Sequence, residues 1–121
     1  MELLYTRAPD IMIIAGHETI IPFEAKRTDG GDVDLSLSNV VIKWILTDWN
    51  MPICPVLTLS NTDDEIVVGT PTSNFDVILR SEYTSDLYGE YNYQIEITSP
   101  TGDVFRPVEG NLIIKQRNYE T

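Results

Sequence analysis

One cysteine and one histidine are all that 121 residues offer. Cys54 alone cannot close a bridge within the chain, which excludes a disulfide framework and leaves stability to packing and hydrogen bonds. His17 alone cannot make the two-histidine zinc motif, although "HETII" begins like one, and the chain has neither a glycine-rich phosphate loop nor a nucleophile elbow. Basic residues are scarce too: eight Lys and Arg stand against nineteen Asp and Glu, a formal charge of −11. That balance repels phosphate backbones and anionic membrane surfaces, so nucleic acid and membrane are set aside as partners. It also supplies a solvated, aggregation-resistant surface. No apolar run approaches the length of a membrane span. "MELLYTRAPD" lacks the basic start and long apolar run of a secretory signal, so any export is expected to follow another route.

Helical spacing is also missing, apart from one turn near "SEYTSDLYG". What is present is alternation. Apolar residues recur with period two and are interrupted at short intervals by Gly, Pro, Asn, Asp and Ser, which predicts an all-β fold. "GEYNYQIEIT" puts Tyr91, Tyr93, Ile95 and Ile97 on one face and Asn92, Gln94, Glu96 and Thr98 on the other. Burying the first set contributes roughly 6–12 kcal/mol before entropy, at about 1.5–3 per large side chain, so this strand is expected to be central. "SPTGD" reads as a turn, with Gly102 free to take a positive φ, and "VFRPVEGNLIIK" returns as a strand. Pro107 lacks a ladder donor and Gly110 invites a bulge, which predicts an edge strand or one broken in the middle. In "VVIKWILTDW" the row Val40, Ile42, Trp44, Leu46 is expected to be the core face. Ile21, Phe23 and Ala25 share a face of an earlier strand, and "DIMII" reads as a short edge strand.

About seven to nine strands of this kind are accommodated by two antiparallel sheets packed face to face, each strand burying one row. A single domain is expected, with 1–10 as an N-terminal arm, 11–115 as the sandwich and 116–121 as a tail. In immunoglobulin-like folds a tryptophan on the third strand packs against a disulfide between the second and sixth strands, and a tyrosine two residues before the second cysteine forms a corner. Trp44 and Tyr91 suit those two roles. Tyr93 stands at the second cysteine's place, faced by Phe23 or Ile21, so aromatic packing takes over from the bridge.

The order of parts carries a resemblance. "GHETIIPFEAKRTDGGDVDLS" is followed by "NVVIKWIL", and then by "FDVILRSEYTSDLYGEYNYQIEITSPTGDVFRPVEGNLII". Over residues 11 to 115 this succession resembles the immunoglobulin-like domain of tailed-bacteriophage baseplate and fibre proteins. The type is the N-terminal domain of the upper baseplate protein of lactococcal phages. The resemblance implies an immunoglobulin-like β-sandwich that is a non-enzymatic virion component, assembled in the host cytoplasm. It would be an adaptor or decoration module docking to other virion proteins of capsid, neck, tail or baseplate, with self-association left open and no catalytic residue or cofactor to carry over. "TDWNMPICPVLTLSNTDDEIVVGTPTS" has no distinctive counterpart in that family.

Few of the remaining side chains offer chemistry. Cys54, in "PICP", is a nucleophile only if His17 meets it in space; an acidic chain offers little of the positive surroundings that activate a thiol, so a buried inert thiol is expected. "DGGDVD" and "NTDDE" gather carboxylates of the kind calcium takes, yet neither has the spaced loop with a distal Glu, and turn chemistry accounts for the first equally well. No metal is assigned. Trp49, next to Asp48, Asn50 and Met51, falls on the face opposite Trp44 if the alternation continues. Three readings stand: a protein-interface anchor made of Trp49, Asn50 and Met51, a sugar-stacking platform for a host glycan in an adhesin-type module, or a strand end bent at Pro52 onto the core.

Overall fold

Alternation is realised most fully where a strand has neighbours along both edges. In the computed structural model that strand is β8 (Gly89–Thr98), whose Tyr91, Tyr93, Ile95 and Ile97 are buried while Asn92, Gln94, Glu96 and Thr98 remain partly exposed. The structure describes residues 3–4, 6–8, 10–29, 31, 33–36, 39–48, 51–70 and 72–116, and for 6, 7 and 51–54 the backbone alone. Ahead of β8 come β1 (Thr6–Arg7), β2 (Ile11–Ile14), β3 (Thr19–Glu24), β4 (Val41–Asp48), β5 (Met51–Ser60), β6 (Ile66–Val68), β7 (Asn74–Leu79) and one helical turn, α1 (Ser81–Thr84). The last strand is β9 (Val104–Lys115).

Two sheets form. The larger runs β1-β9-β8-β4-β5 with β2 also on β9, and the smaller runs β3-β7-β6. Between them lies one core in which Ile42, Trp44, Leu46, Leu79, Ile95, Ile97 and Leu112 are fully buried. The fold is thus an all-β sandwich of two sheets. It is not antiparallel throughout, because β1 and β2 both join β9 in parallel, with Thr6 beside Val108 and Ile11 beside Leu112. Part of the expected N-terminal arm is built into the sandwich: Leu3 is buried and bridges Arg27, and the Leu4 N–H donates to the Lys26 carbonyl at 2.7 Å. Of the expected tail, Gln116 alone is described.

The expectation of an edge or broken return strand is corrected. β9 is continuous over twelve residues and is flanked on both sides, by β8 and by β1 with β2. Pro107 is accommodated by a bulge: Ile95 pairs Val108 and Ile97 pairs Phe105, so Arg106 and Pro107 together oppose Glu96. An extra residue on one strand removes the need for a ladder donor at that point. Arg106 then reaches back to Glu96 at 3.2 Å. Gly110 is not the bulge; it pairs Tyr93 in regular register.

Loops are tied by side chains to backbone. The Asn61 amide accepts from the Ile42 N–H at 3.0 Å and donates to the Val40 carbonyl at 2.9 Å, closing the entry of β4 from the turn that follows β5. Thr84, fully buried in α1, accepts the Gly16 N–H at 2.9 Å. Each such bond is worth about 1 kcal/mol, more when its loss strands a buried group. Asn61→Ala is therefore expected to lower stability by about 1–2 kcal/mol without changing the urea m-value. An unchanged midpoint in urea unfolding would contradict this.

Candidate docking surface

The two sheets are joined through rings. Tyr93 on β8 lies 5.8 Å from Trp44 on β4, stacked at 28°, and 5.7 Å from Phe23 on β3, which in turn stacks on Phe75 of β7 at 5.6 Å. Phe23, partly buried, is the member nearest the surface. Tyr91 is buried in the core, its hydroxyl donating to the Tyr88 carbonyl at 3.1 Å, and burial raises its pKa. Gly110, opposite Tyr93, leaves space for the phenol: a Cβ there would stand 2.7–2.9 Å from its outer ring atoms.

The chemical candidates fall in separate elements of the fold. Cys54 lies in β5 with its side chain outside the described residues, and His17 sits exposed in the turn between β2 and β3, its N–H on the Ile14 carbonyl. In "DGGDVD", Asp29 accepts the Gly31 N–H at 2.8 Å with Arg27 at 3.4 Å, and these hold its carboxyl below the usual range. Asp34 accepts from the Ser36 hydroxyl and N–H, which lower its pKa likewise. "NTDDE" divides: Asn61–Asp63 form a 3-10 turn capped by Ser60, Asp64 takes a φ of 61°, and Glu65 turns inward to accept the Tyr83 hydroxyl, whose pKa rises for that reason. Among the described residues no group of three or more His, Cys, Asp or Glu is placed to hold a metal. Trp49 and Asn50 lie outside the described residues, between the paired Asp48 and Met51, and Met51 is described in its backbone only.

What the fold does present is an open edge. β3 ends the smaller sheet, and along Thr19–Glu24 no described strand pairs its outer side. The N-terminal segment covers the continuation of β3 at Lys26 and Arg27, then crosses to β9. Because it leaves, the sandwich gapes between β2 and β3, and a groove of about 380 Å³ opens there over Ala8, Ile11, Ile13, Ile21, Phe23 and Tyr93. Two large apolar side chains on its rim, Met12 and Ile20, are more than half exposed. Sequence reasoning missed this surface, although Pro22 in mid-strand was a signal for a free edge.

No protein-family model matches this chain, and no curated protein matches it as a relative.

Proposed function

We propose that this chain is an immunoglobulin-like adaptor or decoration module of a tailed-phage virion, acting by docking rather than by catalysis. The strand order supports the fold half of the reading. β3-β7-β6 facing β9-β8-β4-β5 has the arrangement B-E-D against G-F-C-C′, with Trp44 on the strand in the C position and the Tyr91 corner on the strand in the F position. Tyr93, between Trp44 and Phe23, stands where the disulfide would be.

The observation that carries the docking half is the unpaired β3 edge beside an apolar groove. Backbone donors and acceptors on a free edge, with apolar side chains next to them, bind other chains. The virion setting rests on the resemblance of the order of sequence parts to that of phage baseplate and fibre domains, since a sandwich fold by itself fixes no role.

The test is the copy number of the protein in purified particles of the encoding virus, by quantitative mass spectrometry against the major capsid protein. Hundreds of copies mean capsid decoration, and a handful mean neck, tail or baseplate. Absence from intact particles overturns the virion reading.

A further inference from the structure

We propose that the open edge of β3 receives an extended segment of a partner protein whose residues alternate apolar and basic, apolar side chains entering the groove and basic ones lying on the outer face of the smaller sheet. This rests on the docking reading above and names the chemistry of the docked partner.

The backbone sets the row on offer. The Ala25 N–H donates to the Ser73 carbonyl at 2.9 Å, so odd positions of this strand turn their backbone groups toward β7. Positions 20, 22 and 24 then turn theirs outward. Pro22 has no N–H, which leaves three carbonyls and the N–H groups of Ile20 and Glu24. That row binds a short strand but templates poorly for indefinite stacking, a common use of proline on edges.

Side-chain parity sets the rest. An added strand places successive side chains on opposite faces. One set points between the sheets, into the groove walled by Ile11, Ile13, Ile21 and Phe23, where the lining is apolar. The other set meets a second hollow of about 290 Å³, formed by Pro22, Phe23, Glu24, Asn74 and Asp76. Glu24 pairs Asn74 across the strands and Pro22 pairs Asp76, so the three polar side chains sit side by side. Two are carboxylates, and the Asn74 Oδ1 is buried without a hydrogen-bond partner among the described residues. Acceptors beside the flat walls of Pro22 and Phe23 suit the aliphatic stem and cationic head of Lys or Arg. The chain's own Lys26 already places an ammonium 3.4 Å from Glu24. A second copy of the chain is disfavoured on the same edge, because two chains of net charge −11 repel.

The test uses the full chain and three capped peptides of about seven residues: strictly alternating Lys and Val, alternating Glu and Val, and the Lys and Val residues regrouped into two blocks. Binding is followed by NMR at low salt. The alternating basic peptide is expected to bind at least about tenfold tighter than either control, the equivalent of about 1.4 kcal/mol. It should also slow amide exchange at Ile20 and Glu24. Asp76→Lys, at an exposed position, is expected to weaken it about tenfold. Equal binding of the two basic peptides, insensitivity to Asp76→Lys, or protection mapping to another strand overturns the proposal. So does concentration-dependent self-association that protects Ile20 and Glu24 without peptide. Peptide failure with the protein present in particles removes this edge and leaves the virion role standing; peptide binding with the protein absent from particles does the reverse.

Discussion

Trp44→Ala is expected to remove about 3–5 kcal/mol of stability, the range for truncating a buried aromatic. A single domain typically has about 5–15 kcal/mol in all, so the variant should lose a large part of its stability and unfold at a much lower urea concentration than the parent. The size follows from position. Trp44 is fully buried on β4, pairing Ile95 on one side and Leu59 on the other, and its indole stacks on Tyr93. Truncation leaves a cavity at the point where the two sheets are linked by rings, and the strands on either side cannot close it without breaking register. The buried indole N–H has no hydrogen-bond partner among the described residues. Trp44→Phe therefore forfeits no polar contact and should cost far less than Trp44→Ala. Urea unfolding monitored by circular dichroism measures both. A Trp44→Ala protein that melts cooperatively at near-parental stability would mean that the core does not depend on this side chain.

The alternation made much of the sandwich legible because burial on one face is written directly into period two. Tyr91 to Ile97, and Val40 to Leu46, read correctly as faces for that reason. The ends were harder. Ile11–Ile14 read as a short edge strand, but its parallel partner about a hundred positions away did not, and a partner so distant leaves no mark on a two-residue strand such as Thr6–Arg7. Pro107 was misread because a proline forbids a donor without saying whether a bulge has removed the need for one. The groove was illegible for a different reason. Its walls come from Ala8, β2, β3 and Tyr93, and it exists only because the N-terminal segment switches from β3 to β9. Trp49, for which the sequence left interface, sugar and core readings open, owed its interest to composition and neighbours and lies outside the described residues.

Gly110→Ala is expected to destabilise the protein by about 2–3 kcal/mol, toward the upper end of what overpacking costs. Two effects compete at this position. Glycine within a strand is itself unfavourable, and alanine would ordinarily gain about 0.5–1 kcal/mol by reducing the freedom of the unfolded chain. Against that, the new Cβ would meet the Tyr93 hydroxyl at 2.7 Å and two ring carbons at 2.8 and 2.9 Å. A long side chain at the surface would swing aside at little cost. Tyr93 is 1% exposed and held between Trp44 and Phe23, so moving its ring disturbs both sheets, and the steric term wins. The sign is therefore diagnostic. Placing Gly110→Ala in a Tyr93→Leu background, where the outer ring atoms are gone, should shrink or reverse its effect, and the cycle should return a coupling within the 0.5–3 kcal/mol found for contacting residues. Urea midpoints of the parent, both single variants and the double variant supply the four numbers. A neutral or stabilising Gly110→Ala, or a cycle that closes additively, would mean that the tyrosine ring is free to move and that the aromatic link between the sheets is slack where the structure draws it tight.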